Sequence, residues 1–184
     1  MNEPLIGYGP QGFNLEVNPW ATKSSINRAL LCRGAFLAGW ANVETALIEI
    51  AIRASRHAAY ADTRDTYPSK LKGRVAYLRE LLELPGPLAP YRSLGEAVIQ
   101  RYLAEQATRN RLAHGSMKVM PDWGADLYGF EAQNGTEITR WHMRLFPADL
   151  ERLARRSTRF SRATAYLKDR LDQLELLPPL FGDD

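Results

Sequence analysis

Prolines and glycines divide this chain, and what lies between the divisions has the spacing of helices. Pro68, the run Pro85-Gly86-Pro87-Leu88-Ala89-Pro90, then Pro147 and Pro178-Pro179 separate four stretches whose apolar residues recur every three or four positions. Proline lacks a backbone donor and clashes with the preceding turn, so it opens or closes a helix rather than running through one. The first stretch predicts a helix over about 25–60, with Ser24 and Ser25 as N-caps. Its buried stripe is expected to be Leu30, Gly34, Leu37, Ala41, Ile48 and Ile52, continuing past Trp40 and Leu47. Gly34 and Gly39 weaken that helix and predict a kink or a close helix contact. A polar loop from Asp62 to Tyr67 leads to Pro68, placed for the first turn of a second helix with Leu71, Val75, Leu78, Leu81 and Leu82 on its apolar face. A third helix is expected from Tyr91 to His114 on Leu94, Val98, Tyr102 and Leu112, with Gly115 ending it in a left-handed conformation.

The pattern then changes. Residues 125–132 and 137–146 are rich in aromatic and β-branched side chains and flank Asn134-Gly135, a strong two-residue turn signal, which predicts a β-hairpin. Pro147 and Asp149 open a fourth helix reaching about Leu177, with Leu153, Phe160, Leu167, Leu171 and Leu174 as its core stripe. The expected fold is mainly α: an up-and-down bundle of four to five helices with a hairpin inserted before the last. At 184 residues and 45% hydrophobic content the chain can bury a core as one domain, 1–184. Residues 1–23 would form an irregular lead-in and 178–184 a tail.

Composition narrows the chemistry. A lone Cys32 excludes an intrachain disulfide framework and fits a reducing compartment. With only three histidines beside it, a Cys/His zinc site is not expected, and no cofactor is implied. The first 22 residues hold no Lys or Arg, and Arg33, Glu44, Glu49 and Arg53 interrupt the most apolar region, so a soluble, cytoplasmic protein with no membrane partner is expected. The net charge of +3 permits a nucleic-acid partner without requiring one.

Phosphate-binding loops, His-Glu-x-x-His and Gly-x-Ser-x-Gly are all absent from the sequence. One segment holds chemistry, Arg109-Asn110-Arg111-Leu112-Ala113-His114-Gly115, at the end of the third helix. Arginine offers a planar, permanent cation for phosphate, and histidine exchanges protons nearest neutral pH. Asn110 and His114, four apart, share a helix face, whereas Arg109 lies about 140° around the axis from His114. Convergence therefore needs a long reach, unwinding near Gly115, or a second copy of the site.

This segment resembles the signature of the HEPN superfamily, an arginine and a histidine separated by four to six residues, often with a polar residue after the arginine. The stretch Trp40-Ala41-Asn42-Val43-Glu44-Thr45-Ala46-Leu47-Ile48-Glu49 also looks like the opening helix of such domains. The likeness implies a helical bundle over about 24–177. It also implies a metal-independent endoribonuclease working as a homodimer on RNA, in a toxin or defence setting with an antitoxin or regulatory protein as partner. His114 would move protons, Arg109 would stabilise charge on the phosphate, and Asn110 would orient the reacting groups. One toxin branch of the superfamily has tyrosine two residues after the histidine; Ser116 stands there in this chain, so that mode of regulation is not carried over. The alternative within the family is a non-catalytic module that binds nucleotide, RNA or protein; outside it, the chain would be a plain helical interaction protein.

The same residues also have plainer readings. Arg109 and Asn110 suit a solvated helix surface, and His114 suits the negative end of a helix dipole. Arg152, Arg155, Arg156, Arg159 and Arg162 fall on one stripe of the fourth helix, either an RNA-backbone surface or a solvated face. Arg111, Lys118, Arg155 and Arg159 are the candidate RNA-binding residues. Glu44 either pairs with a motif arginine or sits at an exposed edge. His57 is expected to end the first helix, His142 to be structural or at the surface, and Cys32 to be a small core residue.

Overall fold

The computed structural model describes residues 7–9, 13–63, 67–133 and 137–180. It is mainly helical, with four α-helices and a five-stranded sheet among the described residues. In chain order the elements are β1 (Gly7–Gly9), β2 (Phe13–Val17), α1 (Lys23–Ser55), α2 (Leu71–Glu83), α3 (Arg92–His114), β3 (Ser116–Val119), β4 (Ala125–Gln133), β5 (Glu137–Leu145) and α4 (Pro147–Gln173). Short 3-10 turns at Ala58–Tyr60 and Ala89–Tyr91 flank the two ends of the α2 region. The chain forms two compact units, one of residues 1–40 with 105–159 and one of residues 41–104 with 160–184, so α1, α3 and α4 each supply residues to both.

The first unit is built on the sheet, whose strand order follows the sequence. All neighbours are antiparallel except β2 and β3, which run parallel with Leu15 opposite Met117 and Val17 opposite Val119. Strands β4 and β5 pair along their length, from Ala125 opposite Leu145 to Gln133 opposite Glu137. They continue a larger sheet rather than standing as a lone hairpin, and Asn134-Gly135 lies outside the described residues. Strands β1 and β2 fall in the stretch 1–23 that the sequence predicts to be an irregular lead-in, and β3 was not expected either, since three to five residues offer little periodicity to read. Alternation along β3 and β4 turns Met117, Val119, Ala125 and Leu127 inward, where they meet Ala29 and Phe36 of α1, Leu112 of α3 and Leu150 of α4. Cys32 packs half-buried against this cluster, and burial raises its thiol pKa above the ordinary value.

Helix α1 turns a neighbouring face to the one its apolar spacing predicts. Ala29, Arg33, Phe36, Trp40, Val43, Leu47 and Ile50 are buried, while Gly34 and Ala41 are exposed and Leu30, Leu37, Ile48 and Ile52 are half-buried. The reason is Arg33, a charged residue that the core takes in because it finds carbonyl partners there. A Cβ on Gly34 would meet nothing, whereas one on Gly39 would lie 2.5 Å from Ser157 Oγ and 3.0 Å from the Ser157 backbone, so only Gly39 marks a close helix approach. The helix also starts earlier than expected: Thr22 Oγ1 accepts from Ser25 N at 3.1 Å, making Thr22 the cap, and Ser25 Oγ donates to the Pro121 carbonyl at 2.8 Å. By length and composition α1 is also apolar enough to cross a membrane, despite its internal charges; in this fold its apolar face is core.

In the second unit Val75, Tyr77, Leu78, Leu81 and Leu82 of α2 are buried, as are Val98, Ile99 and Tyr102 of α3 and Leu167 and Leu171 of α4. Leu94 and Leu174, expected in the core, are exposed. Helix α1 ends at Ser55, and His57 instead caps the following 3-10 turn by accepting from Ala59 N at 3.1 Å. Arg53 is buried there and donates to the carbonyls of Pro178 (2.7 Å) and Leu177 (3.0 Å) and to Asp172. Glu44 is half-buried rather than at an exposed edge, and it pairs with Arg74 at 2.9 Å.

Candidate functional site

The end of α3 holds the candidate site, and three contacts fix its position. Carbonyls in the last turn of a helix have no partner within the helix. Here Arg33 supplies one, its Nε donating to the Leu112 carbonyl at 2.7 Å and its Nη2 to that of Gly115 at 3.1 Å. Burial lowers the Arg33 pKa to about 10. The third contact is between Gly115 and Trp141. A Cβ on Gly115 would run into the Trp141 ring and the Arg111 carbonyl, and one on Gly129 would lie 2.7 Å from Trp141 Cζ2. Gly115 is not in the left-handed region that helix termination predicts; its missing side chain makes room for an indole instead.

A cleft of about 390 Å³ opens beside this packing, lined by Asn110, Arg111 and His114 of α3 and by Gly129, Phe130, Glu131 and Trp141 of β4 and β5. Asn110 and His114 are both exposed, on the shared face that their spacing predicts. Asn110 Oδ1 accepts from Arg109 Nη1 at 3.2 Å and from Gln106 Nε2 at 3.4 Å. Arg109 itself does not line the cleft; it donates to Asn110, which does. Arg111 does line it, with Nε 3.5 Å from Glu131 Oε1 and its guanidinium 5.5 Å from the centre of the Trp141 ring.

The remaining sequence candidates lie elsewhere. Lys118 is on β3, in register with Glu16 and Asp126, on the face opposite the inward Met117 and Val119. Arg155 and Arg159 line a different cleft, of about 350 Å³, together with Glu151, Arg152 and Arg156. Most of that arginine stripe is already paired: Arg152 with Asp149 (2.6 Å), Arg155 with Glu151 (2.8 Å) and Arg156 with Glu105. His142 is exposed on β5, 3.4 Å from Asp126. Among the described residues no group of three or more His, Cys, Asp or Glu is gathered closely enough to hold a metal ion.

Trp141, Phe130, Glu131 and Arg33 were missed by sequence reasoning. Arg33 left a trace, because Ala29, Arg33 and Phe36 share one helical stripe. Trp141 left none, since only the β4–β5 register sets it opposite Gly129. No family model matches the chain, nor does any of the curated proteins or solved structures with which it was compared.

Proposed function

We propose that this protein is a HEPN-like, metal-independent endoribonuclease acting on cytoplasmic RNA as a homodimer, in a toxin or defence role. The observation that carries the reading is the cleft wall itself: Asn110 and His114 stand exposed side by side on it, with the Arg109 guanidinium bonded to the Asn110 amide. In this reading the helices are the up-and-down bundle of such a domain, and 125–146 is inserted before the last helix. The 2′-hydroxyl gives its proton to a base and attacks the adjacent phosphorus. The bond from phosphorus to the 5′-oxygen then breaks, and that oxygen takes a proton. The products are a 2′,3′-cyclic phosphate and a 5′-hydroxyl. His114 supplies the proton transfer, Asn110 orients the phosphate, and Arg109 stabilises its developing charge. The position of Arg109 off its own cleft favours a composite site, completed by a second copy.

Purified protein should cleave RNA in excess EDTA and leave 2′,3′-cyclic ends. His114→Ala and Arg109→Ala should each lower the rate by at least about 100-fold while circular dichroism and thermal melting stay unchanged. Full activity in folded His114→Ala protein would refute the assignment. The Glu131 carboxylate in the cleft and the withdrawn Arg109 favour one second reading, a module that binds RNA, nucleotide or a regulatory protein without cutting. Tight RNA binding with no product after long incubation would select it.

A further inference from the structure

We infer that the cleft beside His114 is a guanine-recognising subsite in which Glu131 determines specificity; this rests on the ribonuclease reading above. The cleft volume of about 390 Å³ falls in the small-ligand range of roughly 300–1,000 Å³. Its walls supply what a splayed-out RNA base needs. Trp141, half-buried on the cleft wall, offers aromatic surface for stacking.

The polar groups select the base. An ionised carboxylate only accepts hydrogen bonds, and its two oxygens accept a parallel pair. On the Watson–Crick edges of the four RNA bases, guanine alone presents two adjacent donors, N1–H and the N2 amino group. Uracil has one ring N–H between two carbonyls, while adenine and cytosine each place an amino group beside an acceptor nitrogen. Glu131 is half exposed, and its contact with Arg111 at 3.5 Å is an ion pair rather than a close hydrogen bond, so the carboxylate keeps acceptor capacity. Arg111 is a positioning residue in this scheme: it holds the carboxylate toward the cleft and lies 5.5 Å from the Trp141 ring. His114 on the same wall puts the stacked base beside the group that moves protons, so cleavage would follow guanosine.

The test uses the full-length His114→Ala protein, which should bind without cutting. Four fluorescein-labelled nonamers, each uridine-rich with a central G, A, C or U, are titrated by fluorescence anisotropy. The G oligomer should bind at least about tenfold tighter than the others, equivalent to about 1.4 kcal/mol. Adding Glu131→Gln, which replaces one acceptor oxygen by a donor amide, should erase that preference while the melting temperature is kept. Trp141→Phe should weaken binding of all four oligomers alike. Equal affinity for the four, or a G preference that survives Glu131→Gln, would overturn the guanine assignment and leave the ribonuclease reading standing. No binding to any oligomer, or cleavage by the wild-type protein without base preference, would overturn only the subsite, and wild-type protein that leaves RNA uncut would overturn the ribonuclease reading.

Discussion

Two residues carry more of the candidate site than their type announces. Arg33 is a cation inside an apolar helix, yet it is only 2% exposed because the last carbonyls of α3 need donors that the helix cannot give. Gly115 follows the motif histidine, where a left-handed helix stop is the natural expectation, but its role is to leave room for an indole. Gly115→Ala should therefore destabilise the protein by about 1–3 kcal/mol, since the new methyl meets both a ring and a backbone carbonyl. Urea unfolding checks this. Pairing it with Trp141→Phe, which removes the ring atoms in the way, should recover part of the loss; two simply additive effects would show that the two residues do not interact. Asn110 and His114 needed no such correction, because a spacing of four puts residues on one helix face whatever packs around them.

At the scale of elements, the helices were legible and their facing was not. Proline and glycine breaks placed α1, α3 and α4 to within a few residues, except that α1 stops five residues early and α4 four. At the start of α4, Pro147 occupies the first turn and Asp149 reaches back to accept from Phe146 N at 3.1 Å. The stripe of α1 was misread by one position, since hydropathy counts Arg33 as surface and the core treats it as a partner. The other buried arginine, Arg53, has a similar task, tying the segment after α4 to the end of α1 through the carbonyls of Leu177 and Pro178 and through Asp172. Arg53→Ala should cost about 2 kcal/mol, because charged hydrogen bonds to two carbonyls are lost together. It should also speed amide exchange of the residues around Leu177, and hydrogen exchange read by mass spectrometry would detect it. Unchanged exchange there would mean that the segment is held by its apolar contacts alone.

For the whole molecule, the question is what completes the site. If Arg109 of one copy serves His114 of another, inactive Arg109→Ala and inactive His114→Ala proteins should complement each other. After unfolding and refolding together, half of the dimers are mixed and each mixed dimer holds one intact site, so about a quarter of wild-type activity should return. No recovery would place Arg109 and His114 in a single-chain site. By itself, the sequence determined the mainly helical class, the two long strands before the last helix, and the shared face of Asn110 and His114, because helix spacing, proline breaks and strand composition act over a few neighbouring residues. Only the tertiary structure decided that these strands extend a larger sheet, that α1 turns its arginine inward, and that the motif opens on Trp141, Phe130 and Glu131. Each of those depends on which distant segments supply a hydrogen-bond partner or leave room for a ring, and local spacing carries no record of that.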